Sequence, residues 1–148
     1  MCNCEWSEVG LSWQVDRRSK IMVEFETDIP EDILQFLYDL GSEYEFDPIS
    51  SFESEKYFLS LLDEFKTLDG GELFKALSER VQQDFVALNG VYPDWIQSSD
   101  WQFNDGKPMI FIGQIEKDYN KLGISSAIVF YTFYDKETGD VKTVSQFD

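Results

Sequence analysis

The spacing of the apolar residues changes along the chain, and this change constrains the fold more than any other feature of the sequence. Residues 28–41, DIPEDILQFLYDLG, carry apolar side chains at helical spacing. These side chains are Ile33, Leu34, Leu37 and Leu40. We expect an amphipathic helix with this stripe against the core. Asp28 suits its N-cap, Pro30 its first turn and Gly41 its C-cap.

Two more helices are predicted in the middle of the chain, over residues 54–65 and 72–88. The side chains expected to face inward are Phe58, Leu61, Leu62 and Phe65 in the first helix, and Leu73, Leu77, Val81, Phe85 and Leu88 in the second. Gly70-Gly71 is expected to break the chain between them, and Asn89-Gly90 to end the later one.

Short apolar runs near the two ends of the chain predict strands. Residues 11–15 and 20–26 are expected to pair across a turn at 16–19. Residues 109–115, 127–134 and 141–147 predict three more strands, and Gly139 supplies the positive φ of a hairpin between the last two. The sequence thus predicts one α+β domain over residues 1–148, with a mostly antiparallel sheet and about three helices on one face. Residues 1–10 are expected to be a frayed N-terminus.

The charge of the chain limits the kind of partner. Twelve Lys and Arg stand against 29 Asp and Glu, which gives a net charge of -17. Such a field repels nucleic acid and anionic membranes, so neither is an expected partner. A basic protein would be attracted. The other interpretation is that the acidity serves solubility alone.

The composition also argues against an enzyme and against a cofactor or metal. The chain has no histidine, which excludes catalytic triads and metal sites that depend on one. Cys2 and Cys4 supply only half of a structural zinc site. No phosphate-binding glycine motif is present. There is neither an N-terminal signal pattern nor an apolar run of membrane-spanning length, so we expect a cytoplasmic protein.

Acidic residues are concentrated between residues 21 and 55, a window without Lys or Arg. Self-repulsion there is costly, and a cationic partner would relieve it. A solvated surface is the alternative interpretation. The candidate partner contacts are Asp39, Glu43, Tyr44, Glu45, Asp47, Glu53 and Glu55.

A second cluster of unusual residues follows the helices and favours a structural role. Pro93 and Trp95 predict a corner that packs a large ring, and Asn104-Asp105-Gly106 predicts a tight turn. Gln97 and Gln114, polar residues beside apolar ones, are expected to satisfy backbone groups near the corner. The predicted structural set is Pro93, Trp95, Gln97, Trp101, Gly106, Pro108 and Gln114.

The segments YPDWIQ, GKPMIFIGQIE and FYTFYDKETGDVKTVSQ, in this order, resemble the YwqG-like bacterial family. The likeness covers roughly the last 60 residues. Related small proteins occur beside polymorphic or contact-dependent toxins and are regarded as immunity proteins. The family often carries a C-x-x-C pair before its G-K-P-M segment; here Phe103-Asn104-Asp105 stands there, which removes that potential zinc knuckle. The resemblance implies a fold and a genomic context, and no catalytic residues.

Three functions follow as hypotheses. The first is an immunity protein that neutralises a basic toxin, for instance a nuclease, through its acidic surface. The second is an acidic mimic of nucleic acid that inhibits a DNA- or RNA-binding protein. The third is a small-ligand module with a pocket near Trp95 and Trp101.

Overall fold

The helices lie in the middle of the chain and most of the strands follow them. The computed structural model describes residues 26–118 and 127–148, together with the backbone of two short strands before them. The elements in chain order are β1 (Gln14–Val15), β2 (Ile21–Met22), α1 (Glu31–Tyr44), α2 (Phe52–Glu64), α3 (Gly70–Asp84), β3 (Phe103–Asn104), β4 (Lys107–Pro108), β5 (Ile110–Asp118), β6 (Ala127–Tyr134) and β7 (Val141–Phe147).

The first predicted strand pair is confirmed where the chain is described. Strands β1 and β2 are antiparallel, with Gln14 opposite Met22 and Val15 opposite Ile21. The rest of the two predicted strands before Glu26, the turn at 16–19 and the expected frayed N-terminus lie outside the described residues.

Helix α1 begins and ends later than predicted. Its first residue is Glu31 and its N-cap is Pro30, so Asp28 is not the N-cap and Pro30 lies before the first turn instead of in it. Gly41 is not the C-cap either, because it lies inside the helix and is buried. The chain leaves the helix at Glu45, whose φ of 65° is left-handed. The backbone N–H groups of Glu45 and Phe46 both donate to the carbonyl oxygen of Gly41, at 2.7 and 3.1 Å, which satisfies a carbonyl at the helix end.

The glycine pair that was expected to break the helices instead opens one. Helix α2 is capped by the hydroxyl of Ser51, which accepts a hydrogen bond from the backbone N–H of Ser54. It ends at Glu64, and Gly70-Gly71 then forms the first turn of α3.

Helix α3 ends four residues before its predicted end. After Asp84 the chain becomes extended, and Val86 and Leu88 exchange backbone hydrogen bonds with Phe111 at 2.9 and 2.8 Å. Leu88 was predicted to face the core, but it is 62% exposed. Pairing with β5 therefore outweighs the helical spacing that continues through Leu88.

The main sheet has three antiparallel strands in the order β5-β6-β7. Strands β6 and β7 have the predicted bounds, and Gly139 between them has the predicted positive φ of 83°. Strand β5 runs three residues further than predicted and carries a bulge between Phe111 and Gly113. The predicted tight turn is also confirmed: Asp105 and Gly106, both at positive φ, join β3 to β4.

The helices and the inner face of the sheet share one buried cluster. Trp101 sits near its centre, with ring centroids 5.2 Å from Phe85 of the segment after α3 and 5.3 Å from Phe133 of β6. Phe85 in turn stacks on Phe46 at 4.2 Å. The predicted α+β class is therefore confirmed. No helix within the described ranges is long and apolar enough to cross a membrane.

Candidate protein-binding face

The segment Tyr92–Ser99, which we call the tryptophan corner, packs a large ring as predicted. The ring of Trp95 lies 4.5 Å from Tyr131 and 6.2 Å from Phe133, both on β6. Pro93 is fully buried. Trp101, just beyond the corner, is buried and donates its indole N–H to the carbonyl oxygen of Met109 at 3.0 Å. These rings complete the core.

Side chains of the sheet bind the backbone at the start of the corner. The amide oxygen of Gln114 accepts a hydrogen bond from the backbone N–H of Asp94 at 2.8 Å. The hydroxyl of Tyr131 donates to the carbonyl oxygen of Asp94 at 2.9 Å. The prediction that Gln114 satisfies backbone groups of the corner is confirmed.

Gln146 of β7 holds the other half of the corner, and the sequence analysis did not single it out. Its amide oxygen accepts the backbone N–H groups of Ile96 and Gln97, and its amide nitrogen donates to the carbonyl oxygen of Ser98 at 2.7 Å. Gln146 is 5% exposed. Gln97 returns a bond to the carbonyl oxygen of Phe147 at 2.8 Å, which confirms its predicted role. The only sequence signal for Gln146 is a polar residue at an inward position of a strand.

The tryptophan corner fixes the backbone at the end of α1. The indole N–H of Trp95 donates to the carbonyl oxygen of Glu45 at 2.7 Å, and the hydroxyl of Ser99 donates to the same oxygen at 3.3 Å. Tyr44 meets Tyr92 edge to face at 5.5 Å. The two residue sets that the sequence analysis kept apart are therefore in contact.

A shallow groove of about 390 Å³ lies along this contact. Its walls come from the end of α1, the loop after it and the tryptophan corner. The lining residues are Tyr38, Gly41, Ser42, Glu45, Phe46, Asp47 and Ser99. Asp39 and Glu43 are exposed on the same last turns of α1, four residues apart and so on one side of the helix.

Some of the predicted contact residues have structural roles of their own. The carboxylate of Asp47 accepts the backbone N–H of Ile49 at 2.9 Å, and its carbonyl oxygen accepts the hydroxyl of Ser54. The carboxylate of Glu55 accepts the hydroxyl of Thr27 at 2.6 Å. Tyr44 is partly buried against the corner. Substituting any of these residues would disturb the fold as well as the surface.

Asp100 joins the predicted acids from a distant part of the chain, and it was missed because it lies outside the window 21–55. Burial raises the pKa of its carboxyl above the ordinary value, a hydrogen bond from the side chain of Gln102 lowers it, and the negative charge of Glu53 raises it. We call Glu45, Asp47, Glu53 and Asp100 the acidic face.

Two cations of the described chain form ion pairs, and both pairs lie outside the acidic face. The ion pairs within residues 26–118 and 127–148 join Lys66 to Asp63 and Arg80 to Glu64. Beside the acidic face, Phe52 opens α2 and is 73% exposed, a second feature that the sequence analysis missed. The ammonium of Lys56 lies 6.0 Å from the centroid of this ring. Aromatic rings are enriched at protein-binding surfaces.

A larger cavity, of about 520 Å³, lies where the β3–β4 turn meets the turn between β6 and β7. The amide nitrogen of Asn104 donates there to Asp135, Thr138 and Asp140 at 2.7 to 3.2 Å. The hydrogen bond from the side chain of Asn104, and those from the backbone of Glu137 and Thr138, lower the pKa of Asp135. The polar groups of this wall satisfy one another and tie the two turns together.

Neither Trp95 nor Trp101 lines this cavity, the groove or the 320 Å³ depression beside Phe52. Within the described residues, no three acidic or cysteine side chains converge in a way that could hold a metal ion. Comparison with protein-family models, with characterised proteins and with solved structures finds no match. The geometry of the chain itself therefore carries the functional argument.

Proposed function

We propose that this chain is a protein-binding domain whose acidic face holds a basic partner, and that the partner is a cognate bacterial toxin that it neutralises in the cytoplasm as an immunity protein. The observation that carries the proposal is the approach of the carboxylates of Glu53 and Asp100, from separate segments, beside the end of α1, whose backbone at Glu45 is fixed by Trp95 and Ser99. None of these carboxylates has a cationic partner among the described residues.

The physical chemistry of the face suits a protein partner. A net charge of -17 accelerates the approach of a basic surface, and the gain falls as salt is added. Glu45 and Asp47 sit on a segment that is already held in place, so binding would order little further backbone. Phe52 offers a large ring that a pocket on the partner would desolvate. The toxin as partner rests on the charge and on the resemblance to the YwqG-like family.

The test compares two variants with the same change of net charge. The first variant combines Glu53→Lys, in the acidic face, with Glu43→Lys, two residues before Glu45. The second combines Glu72→Lys with Glu79→Lys on α3, and all four acids are exposed. We expect the first variant to bind the toxin encoded in the adjacent gene at least about tenfold more weakly, with a flatter salt dependence. The second variant should stay close to the parent.

Calorimetry at low and moderate salt measures both quantities. Equal weakening in the two variants would show that net charge alone matters and would contradict the acidic face as the contact. Phe52→Ala should raise the dissociation rate more than it lowers the association rate, because an apolar anchor acts after encounter.

A further inference from the structure

The face of the main sheet that points away from the helices is mostly apolar. Alternate residues of a strand point to opposite faces, and the buried ones of β6 are Val129, Tyr131 and Phe133. The paired registers then define the opposite side, which we call the outer face. Its residues are Ile110, Gly113, Ile115 and Lys117 of β5, Ile128, Phe130, Thr132 and Tyr134 of β6, and Val141, Thr143, Ser145 and Phe147 of β7.

The outer face differs sharply in charge from the rest of the molecule. Its one charged residue is Lys117, and it has no carboxylate, although Asp and Glu number 29 in the chain. Ile115 is 72% exposed, and Val141 and Phe147 are exposed as well. The outer-face residues of β6 between them are partly exposed, so the apolar surface extends across the three strands, as it does at interaction sites.

We infer that the outer face binds the outer face of a second copy of this chain. Two molecules of charge -17 repel wherever carboxylates oppose each other, and the strand positions of this face bring none together. Face-to-face packing of two twisted sheets is a common arrangement. The acidic face belongs to the helices and the corner, which pack on the inner side of the sheet, so dimerisation leaves it accessible.

The size of the face predicts a weak dimer. Strands about 4.8 Å apart that rise about 3.3 Å per residue give a face of about 400 Å² in projection. This is about half of what each partner contributes to an interface of standard size. We therefore expect a reversible dimer that forms at tens to hundreds of micromolar, roughly the range of weak association.

Salt distinguishes this contact from the proposed partner binding. Between about 0.01 and 0.15 M salt the Debye length falls from about 30 to 8 Å, which screens the repulsion between two acidic copies. The dimer should therefore strengthen with salt, whereas binding of a basic partner should weaken. Dimerisation and partner binding are measured separately and respond to salt in opposite directions, so either proposal can fail while the other stands.

Sedimentation velocity from micromolar to millimolar protein, at the two salt concentrations, tests the inference. Ile115→Glu places a carboxylate in the outer face and should shift dimerisation to at least tenfold higher concentration. Val91→Glu adds the same charge at a site of nearly equal exposure, 70%, that is not part of the outer face, and should leave dimerisation close to that of the parent.

Three outcomes would overturn the inference. One is a monomer at every concentration and salt. Another is equal weakening by Ile115→Glu and Val91→Glu. The third is a lower thermal midpoint for Ile115→Glu than for Val91→Glu in dilute, monomeric protein, which would mean that another part of the same chain covers the outer face.

Discussion

The carboxylate of Asp100 is disfavoured in the isolated fold, but it offers a negative charge to a basic partner. It is partly buried beside Trp101, and the charge of Glu53 faces it. The side chain of Gln102 donates to its carboxylate at 3.2 Å and to its backbone carbonyl oxygen at 2.9 Å. Burial and Glu53 together outweigh this hydrogen bond, so the pKa of Asp100 lies above the ordinary value. A cation from a partner would relieve the repulsion that the fold leaves in place.

The raised pKa predicts the effect of Asp100→Asn. Because the folded state holds the proton more tightly than the unfolded state, the stabilising contribution is complete below the unfolded pKa and is lost as the pH rises through the folded pKa. At neutral pH the ionised carboxylate therefore opposes folding. Asp100→Asn should raise the free energy of unfolding at pH 7, by up to about 0.5 kcal/mol.

Urea denaturation at pH 7 and in acid checks this prediction. The advantage of Asp100→Asn should disappear in acid, where the parent is also uncharged at this position. Asp39→Asn, at an exposed position of α1, controls for the general benefit of removing one negative charge. An equal gain in the two variants would mean that the surroundings of Asp100 contribute nothing.

At the scale of elements, the sequence predicted the last two strands more closely than the helix ends, while β3 and β4 were expected only as a turn. Strands β6 and β7 match their predicted bounds because the hairpin signal is local: two apolar runs flank a turn with Gly139 at positive φ. The ends of α1 and α3 depend on contacts far along the chain. Pairing of Val86 and Leu88 with Phe111 ends the helical region, and no local pattern encodes that pairing.

The contacts of the candidate site also divide into some that the sequence pattern predicts and others that join distant parts of the chain. Gln97 and Gln114 were predictable as partners of backbone groups, because each is a polar residue beside apolar ones in the sequence. The approach of Asp100 to Glu53 crosses 47 positions of the chain. The bonds from Gln146 to the corner cross 48 to 50 positions. Such pairs follow from the packing of the sheet against the helices, which the sequence pattern leaves open.

Gly41 provides the prediction for α1. A Cβ at this position would lie 2.3 Å from the carbonyl oxygen of Phe46, so the loop that carries Glu45 and Asp47 would have to move. Gly41→Ala should lower the free energy of unfolding by about 1–3 kcal/mol, the usual range for overpacking. It should also weaken partner binding, because the acidic face begins at this helix end.

Gly71→Ala is the matched control for Gly41→Ala. It lies in the first turn of α3, where an added Cβ meets no atom within 4 Å. This change should be neutral or should stabilise by about 0.4–1 kcal/mol through the unfolded state. Chemical denaturation of both variants measures the difference, and similar values would contradict the close approach of Phe46 to α1.

At the scale of the whole molecule, the charges are distributed unevenly between the two sides of the sheet. Carboxylates crowd the surface formed by α1, α2 and the tryptophan corner, while the outer face carries none. One molecule can therefore present a surface governed by Coulomb attraction and another governed by the burial of apolar groups. The two surfaces should respond to salt in opposite directions.

The same charge sets the stability of the isolated molecule. With 29 acidic against 12 basic residues, the folded state concentrates negative charge more than the unfolded chain does. Screening should therefore stabilise the fold, and the thermal midpoint should rise by about 3–6 °C between about 0.01 and 0.15 M NaCl, the shift expected for about 1–2 kcal/mol. Calorimetry on dilute protein measures this shift without a contribution from dimerisation.

Repeating the scan at tenfold higher protein concentration separates screening from association, since only association makes the midpoint depend on concentration. A midpoint that stays constant or falls with salt would mean that the carboxylates are spaced too widely to repel, and it would remove the electrostatic basis for a cationic partner.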